Sequence, residues 1–368
     1  MTWYNNSWNY RKSITVSNSG PALTDYQTLA TIDTASLVTA TKMRSDCGDI
    51  RFVDSDDSSL LNYWIGSGCN TASTKIWVKI PSIPSGTKTI YLYYGNSSAT
   101  YDNSLGGRNT FIVFDDFATG STEQWTEVDA GSKYTIDRTS NHRINITGQP
   151  DTAANQRIYI DKGSDIGNFI YDFTSTRTDS TKSTGLKVGV SDTNNNPLAT
   201  TWYDGVYYAI HINSTGVKNW GMATRNNNAP AGGNWVNYNW VPGTIYYFSL
   251  TRLGDVFTLS IYTDPARTSL LVTYTATQTG ITGLRYIYAI TNYGDTANGA
   301  SGWITDIRIR KYTSPEPTYG PWGIEELSGC ATPSANLIVL EILSEQLSRQ
   351  YPSYIDLDVI SKLLDNFT

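Results

Sequence analysis

A pair of acidic residues could catalyse glycoside hydrolysis, which needs two carboxylates facing each other across a cleft. Glu123 and Glu127 lie four residues apart around Trp125, a spacing that suits one strand face of a cleft poorly. Glu325-Glu326 lies in a stretch that we interpret as a linker. We therefore predict surface roles for these acids and a protein that is not an enzyme.

Nucleophilic hydrolysis finds few candidate residues. The chain has two histidines and no Gly-x-Ser-x-Gly motif, so few residues could form a Ser/His/Asp triad. His142 lies in a polar turn, and His211 alternates with Ile210 and Ile212 as on a strand. We predict an exposed His142, a sheet-face His211 and no zinc site.

Two loops place oxygen ligands at alternate positions, as calcium loops do. They are 54–57 and 192–196, and neither has the Gly and Glu of an EF-type loop. We predict hairpin turns and no cofactor, with calcium as the alternative.

A run of aromatic and amide residues is the best functional clue. Sugars are recognised by aromatic rings together with hydrogen bonds to amides and carboxylates. Trp235 follows the glycine-rich segment 231–234, which would place it near a loop tip. The alternatives are an aromatic strand face in a core, or packing against neighbouring subunits. The candidate glycan-binding residues are Trp202, Tyr203, Asp204, Tyr207, Trp220, Asn227, Trp235 and Trp240.

Three cysteines make neither a disulfide scaffold nor a metal cluster. Cys47 and Cys69 flank the turn near Asp57 almost symmetrically, so antiparallel pairing would bring them opposite each other. We predict a disulfide there, with two buried thiols as the alternative, and a single Cys330.

The composition limits the partners. Charged residues are 16% of the chain, the net charge is -6, and no basic cluster interleaves with the 26 tyrosines. Nucleic acid is therefore not expected as a partner. No apolar run is long enough for a membrane span, and Met1 is not followed by a signal peptide. This pattern suits a virion or an extracellular surface, and the missing signal peptide favours the virion.

The first 108 residues contain short β-branched and aromatic runs separated by turn residues, which predicts an antiparallel β-sandwich. Residues 75–80 alternate polar and apolar side chains, so we expect one wet and one buried face. Further strands are expected at 12–17 and 26–32, and residues 97–109 are interpreted as a linker.

The same runs resemble a family known as domain-of-unknown-function family 2341. This resemblance implies a small β module of bacterial, archaeal and phage surface proteins, often followed by a concanavalin-like or laminin-G-like jelly roll. It implies a fold and a setting, and no activity. The motifs that carry it are 8–16, 49–52, 63–65, 77–81 and 90–96.

Residues 109–318 contain many short strand candidates, which predicts two curved antiparallel sheets. The segments 111–117 and 302–312 are similar to the first and last strands of concanavalin-like jelly rolls, and this resemblance implies that they pair. It also makes Asp115, Asp116 and Asp306 weaker calcium candidates.

Residues 319–368 are interpreted as a linker followed by two short amphipathic helices. Such helices are marginal alone and must pack on something. We predict an assembly or anchoring element, with docking on the jelly roll of the same chain as the alternative. The proposed assembly residues are Leu337, Leu340, Leu343, Leu347, Ile360, Leu363 and Leu364.

The sequence thus predicts a mainly β protein with a β-sandwich (1–108), a jelly roll (109–318) and a helical tail (319–368). We expect a structural or adhesion protein of a virion or cell surface, a phage decoration or fibre type, with host glycans as a partner of the jelly roll. It would form homo-oligomers or a larger assembly and would not insert into membranes. The alternatives are a secreted carbohydrate-active enzyme or its binding module, and a subunit of an extracellular filament.

Overall fold

The computed structural model describes residues 3–118, 123–128, 133–147, 157–194, 204–226, 229–293 and 299–328, with backbone only for 229–235, 292 and 293. The helices are α1 Thr34–Thr39 and α2 Asn103–Thr110. The first strands are β1 Tyr10–Asn18, β2 Leu23–Ile32, β3 Arg51–Val53, β4 Leu60–Ser67, β5 Thr74–Ile83, β6 Gly86–Tyr94, β7 Val113–Asp115, β8 Thr126–Val128, β9 Tyr134–Asp137, β10 Arg143–Ile146 and β11 Arg157–Asp161. The later strands are β12 Phe169–Arg177, β13 Thr184–Ser191, β14 Gly205–Ile212, β15 Lys218–Asn226, β16 Ala229–Asn237, β17 Tyr246–Leu253, β18 Val256–Tyr262, β19 Leu270–Thr277, β20 Tyr286–Tyr293, β21 Gly302–Lys311 and β22 Thr318–Leu327.

The first unit is one antiparallel sheet of seven strands in the order β2-β5-β4-β3-β6-β1-β22. Its core includes Ile14, Phe52, Ile76 and Leu92, which are fully or almost fully buried. Because β22 follows the whole second unit along the chain, the second unit is inserted between α2 and β22.

The predicted boundary at residue 319 is wrong for β22, which pairs with β1 instead of forming a linker. Glu326 accepts a hydrogen bond from Arg11 Nη2 at 2.6 Å, and Glu325 accepts one from the Tyr94 hydroxyl at 2.7 Å. These two acids therefore belong to the first unit. The misreading has a physical cause, since Pro321 argues against a central strand but is tolerated at a sheet edge.

The predicted linker 97–109 is also partly wrong, because it contains most of α2. Asp102 caps this helix by accepting a hydrogen bond from the Leu105 amide at 3.0 Å. Asn103 ties the helix to β4 through hydrogen bonds with both the amide and the carbonyl of Ile65. The connection between the units is thus anchored on the first sheet.

The second unit is a jelly roll of two antiparallel sheets with one hydrophobic core between them, as predicted. One sheet has the order β19-β18-β17-β12-β21-β10-β9, and the other has the order β16-β15-β14-β13-β20-β11-β8. The expected pairing of the first and last segments is confirmed, because β7 pairs with β21 through Val113 and Ile309.

An aromatic and cationic cluster joins the two units. Trp64, Trp77 and Phe111 surround the Arg308 guanidinium, whose carbon lies 5.4 to 5.6 Å from the ring centroids. Arg308 donates a hydrogen bond to Asp172 at 2.6 Å. We expected one face of β5 to be exposed to solvent. This expectation is wrong at Trp77, because the junction covers its side chain and only 9% of it is exposed.

Cys47 and Cys69 form a disulfide with a Cα–Cα distance of 6.0 Å, the pair that the sequence indicated. Cys330 and the predicted helical residues, from Leu337 to Leu364, lie outside the described residues. The assembly hypothesis for the tail stays a prediction.

Candidate functional site

The seven-stranded sheet of the second unit has one face in the core and one face outside it. On β14, Val206 and Tyr208 belong to the hydrophobic core. Successive side chains of a strand point to opposite faces, so Tyr207 lies on the outer face. The same alternation places Lys187, between the core residues Leu186 and Val188, on the outer face of β13.

The pairing register aligns these outer positions in rows that cross the sheet. One row, from β15 to β11, is Gly221, Ala209, Lys187, Thr291 and Arg157. The next row is Ala223, Tyr207, Gly189, Tyr288 and Tyr159. A third row is Arg225, Gly205, Ser191, Tyr286 and Asp161. One small depression, which we name the recess, has a volume of about 10 Å³, room for about one water. Its lining includes the outer positions Lys187, Gly189, Ser191, Tyr207, Tyr288 and Thr291.

Lys187 occupies the centre of this arrangement. Its Nζ lies 4.5 Å from the centroid of the Tyr207 ring, a distance at which a protonated amine is attracted by the ring. Burial, together with the positive charge of Arg225, lowers the pKa of Lys187 to about 7. A lysine with so perturbed a pKa at a depression marks a candidate functional site.

Three tyrosines crowd the row beside Lys187 without joining the hydrophobic core. Tyr207 and Tyr159 are 8% exposed and Tyr288 is 2% exposed. The rings of Tyr159 and Tyr288 have centroids 5.8 Å apart. The Tyr288 hydroxyl donates to the Thr193 carbonyl at 2.6 Å, so the loop after β13 covers this end. These rings form a rigid, closely packed wall of the recess.

Gly189 makes this packing feasible. A Cβ at residue 189 would lie 2.8 Å from the Cα of Tyr207 on the neighbouring strand. Any larger residue would therefore push β14 and Tyr207 away from β13.

More positive charge surrounds the recess. The Arg157 guanidinium carbon lies 5.7 Å from the Tyr159 ring centroid. His211 contacts Asn219 Oδ1 through Nδ1 at 3.2 Å, and burial lowers the pKa of His211, helped by Arg177 and Lys187. Three basic side chains, Arg157, Lys187 and His211, therefore share this face.

Carboxylates lie at the margin of this face. Asp161 accepts a hydrogen bond from Arg285 Nη2 at 2.7 Å. Burial and the neighbouring Asp204 raise the pKa of Asp192. Among the described residues that line the recess, none is a carboxylate. Two opposed carboxylates, which glycoside hydrolysis requires, are thus not found in this lining.

The glycan prediction is wrong for two tryptophans. Trp220 is 0% and Trp240 is 1% exposed, and both belong to the hydrophobic core. Trp220 stacks on Tyr238 with centroids 4.3 Å apart, and Trp240 lies against Lys218 and Arg177. Their rings have no free face for a sugar, because strand alternation turns Trp220 inward. The alternative of an aromatic core face was correct here.

The other predicted glycan residues have different outcomes. Tyr207 lines the recess. Asp204 is buried and accepts a hydrogen bond from the Thr282 amide at 2.9 Å, so it fixes a loop instead. The backbone of Trp235 pairs with Gly221 in β15, which makes it a strand residue and not a loop tip. Trp202, Tyr203 and Asn227 lie outside the described residues.

The loops considered for calcium use their carboxylates within the protein. Asp54 forms an ion pair with Lys88 at 2.7 Å, and Asp57 forms one with Arg11 at 2.7 Å. Asp115 is buried and pairs with Arg138 at 2.9 Å. No group of three or more potential metal ligands occurs among the residues that the structure describes. Asp116 and Asp306 line a separate pocket at the junction of the units.

Sequence reasoning found Tyr207 but missed Lys187, Arg157, Tyr159 and Tyr288. The only local signal was the alternation Gly185-x-Lys187-x-Gly189, in which small residues flank a cation on one strand face. The rows themselves depend on the pairing of β13 with β20, and a sequence pattern does not reveal the register of strands so far apart.

The architecture is that of a β module joined to a jelly roll of two antiparallel sheets. A family model described as a domain of unknown function, DUF2341, matches residues 46–128. This agrees with the family resemblance, although the match extends past the first unit into β7 and β8. No curated protein matches the chain.

Several solved structures are similar to this chain. A seed lectin of Lotus tetragonolobus is 10% identical with a TM-score of 0.39, covering 57% of this chain and 100% of its own. A legume lectin-like domain from Entamoeba histolytica is 11% identical with a TM-score of 0.36, covering 48% and 86%. A bifunctional GH43-CE protein of Bacteroides eggerthii is 16% identical with a TM-score of 0.40, covering 72% and 34%. Likenesses at this level carry no argument about activity.

Within the described part of the chain, neither helix is long and apolar enough to cross a membrane.

Proposed function

We propose that this chain is a carbohydrate-binding protein and that the outer sheet face beside the recess, at Tyr207 and Lys187, contributes to its binding site. The proposal rests on how β13 pairs with β14 and β20. This pairing places Lys187, Tyr207, Tyr288 and Ser191 around one depression outside the core. Aromatic side chains, hydroxyls and a positioned charge are the groups that small-molecule and sugar sites combine.

The site binds without converting its ligand. This part of the proposal is supported by the residues that line the recess, which supply no carboxylate pair for hydrolysis. Incubation with oligosaccharides that the protein binds should leave them unchanged in chromatographic profile and reducing ends. Turnover that depends on Lys187 would instead favour the alternative, a carbohydrate-active enzyme.

The setting that we propose is an oxidising one, at a virion or cell surface. The disulfide between Cys47 and Cys69 supports it, because disulfides persist mainly outside the reducing cytosol. Imaging of native particles or cells with a labelled antibody tests the location. Analytical ultracentrifugation of the full chain and of a chain truncated after Ser328 tests assembly through the tail. An unchanged oligomeric state on truncation would contradict that role.

A glycan array tests the binding function directly. The protein should bind a restricted set of glycans, and Tyr207→Phe should weaken binding roughly 2- to 10-fold, the value of one neutral hydrogen bond. Tyr262→Phe removes a hydroxyl from the other sheet and serves as the matched control, expected to bind normally. No binding across a diverse array would contradict the proposal.

A further inference from the structure

We propose that a pocket between the two units, which we name the junction pocket, binds one neutral sugar unit. It adds a second carbohydrate site to the protein, separate from the face beside the recess, and it does not depend on binding there. The residues that line the junction pocket include Trp64, Gly66, Thr174, Tyr247 and Asp306.

The size of the junction pocket suits a single sugar. Its volume is about 220 Å³, compared with about 10 Å³ for the recess. Sites for drug-sized ligands have volumes of roughly 300–1,000 Å³. The junction pocket is therefore closer to the size of one sugar unit than to that of an oligosaccharide.

The strand register of the second unit presents two of the lining side chains to this pocket. Phe173 and Phe248 belong to the hydrophobic core. Because side chains alternate along a strand, their neighbours Thr174 and Tyr247 lie on the outer face, where they pair across β12 and β17. Trp64, on β4 of the first unit, lines the same pocket. Both units therefore contribute to the site.

The junction pocket contains polar groups that the protein itself does not satisfy. Thr174 is 4% exposed, yet its hydroxyl has no hydrogen-bond partner among the described residues. The Tyr247 hydroxyl and the Asp306 carboxylate also have none within this part of the chain. A buried hydroxyl is normally satisfied by a hydrogen bond. Thr174 therefore indicates a ligand, and the two other groups indicate that this ligand carries several hydroxyls.

The charges around the pocket favour a neutral ligand. Arg267 and Arg308 share the carboxylate of Asp172, at 3.8 and 2.6 Å. Asp116 and Asp306 form no ion pair within the described residues. Positive and negative charges thus line one pocket, which favours neither an acidic nor a cationic ligand. A sugar hydroxyl can still donate a charge-assisted hydrogen bond to a carboxylate.

The backbone at Asp306 is irregular. Between the pairs Asp172–Arg308 and Thr174–Thr305, β21 has one residue more than β12, which is a β-bulge. Asp306 lies in this bulge with a φ of 52°, a value that few non-glycine residues adopt. Bulges are common next to active sites, where they redirect a side chain. The bulge therefore supports a binding role for the exposed Asp306 carboxylate.

Two aromatic rings supply the apolar part of the site. Trp64 and Tyr247 are both half-buried, so part of each side chain is open. Gly66 leaves room for the first ring, because a Cβ at residue 66 would lie 2.9 Å from Cζ3 of Trp64. An aromatic ring offers an apolar surface for the C–H face of a sugar. The junction pocket thus combines rings, hydroxyls and a carboxylate, as sugar recognition requires.

Saturation-transfer difference NMR on the full chain tests the inference. The probes are the methyl glycosides of glucose, galactose, mannose and xylose, with methyl glucuronide as the acidic probe and choline as the cationic probe. We expect at least one neutral glycoside to bind with a dissociation constant on the order of 1 mM, because a single sugar makes few contacts. The acidic and cationic probes should bind about 10-fold more weakly or not at all.

Three variants localise the binding. Asp306→Asn keeps the shape of a side chain that tolerates a positive φ, and it should weaken glycoside binding about 10-fold or more. Asp25→Asn is the matched control, because Asp25 is an exposed aspartate on β2 with a φ of 47° that does not line the junction pocket. Tyr247→Phe removes one hydroxyl and should weaken binding roughly 2- to 10-fold. Circular dichroism and thermal melting verify folding of each variant.

The outcomes separate this inference from the proposed function. Binding of no neutral glycoside, equal binding by wild type and Asp306→Asn, or equal loss in Asp25→Asn and Asp306→Asn would overturn the junction site and leave the face beside the recess. Tighter binding of glucuronide or choline would also overturn it. Loss in Asp306→Asn, together with no effect of Tyr207→Phe on the array, would support the junction site and contradict the face beside the recess.

Discussion

Two sheltered cations, Arg11 in the first unit and Lys187 in the second, differ in what surrounds their charge. In the first unit, Arg11 is 1% exposed and pairs with Asp57 at 2.7 Å and with Glu326 at 2.6 Å. Burial opposes its charge, yet hydrogen bonds to Tyr93, Glu326 and Asp57 raise the pKa of Arg11. In the second unit, burial and the like charge of Arg225 lower the pKa of Lys187.

Arg11 therefore stabilises the fold through its ion pairs, whereas the charge of Lys187 is disfavoured by its surroundings. Arg11 connects β1 to the turn after β3 and to the last strand, β22, so it closes the first unit. Lys187 lies on a sheet face with its Nζ 4.5 Å from the Tyr207 ring centroid. A lysine with a strongly lowered pKa is typical of functional sites, which is why we place function in the second unit.

The largest expected effect comes from removing the paired cation. Arg11→Met leaves Asp57 buried with its charge uncompensated, and we expect a loss of about 3–5 kcal/mol in the free energy of unfolding. Urea denaturation measures it. Arg44→Met is the matched control, because its ion pair with Asp46 is exposed and should contribute much less. Equal losses in both variants would contradict the role given to Arg11.

The disulfide gives a second test of the difference between the two units, because the described residues contain a disulfide in the first unit and none in the second. Replacing Cys47 and Cys69 together by Ser should lower the free energy of unfolding by about 2–4 kcal/mol, because the bond closes a loop with a sequence separation of 22. Amide hydrogen exchange should become faster in β3 and β4 and stay unchanged in β13 and β14. Faster exchange in β13 and β14 to the same degree would show that the two units unfold as one.

An effect on stability of opposite sign is expected for Lys187→Met. Below about pH 7, wild-type Lys187 carries a partly desolvated charge, so the variant should melt at a higher temperature. Between the folded pKa of about 7 and the unfolded value near 10.4, the unfolded chain binds more protons, so the wild type gains stability as the pH rises. The difference in melting temperature should therefore shrink from about pH 7 to about pH 9.5. A constant difference would show that Lys187 has an ordinary pKa.

Most of the fold could be predicted from the sequence, but little of the candidate site could. Strands with β-branched and aromatic residues at alternate positions, such as β13 and β14, were predictable from local pattern, and the pairing of β7 with β21 followed from a family resemblance. The strand β22 was missed because Pro321 and two glycines suggest a linker, and only its long-range partner β1 makes it a strand.

The site was harder to predict for a related reason. Trp220 and Trp240 attracted attention as large aromatic residues near glycines, but burial in a core produces the same composition as exposure to a sugar. Lys187 looked like an ordinary surface lysine on a strand. Its surroundings are set by β14, β15, β20 and β11, and long-range register decides them.

A crystal structure of the protein with a bound oligosaccharide, chosen from the glycan array, would test the central claim most directly. We predict a sugar on the outer side of β13 and β14, in contact with Tyr207 or Lys187. A ligand seated elsewhere, for example in the groove between β2 and β22 lined by Tyr26, Tyr319 and Trp322, would contradict the account.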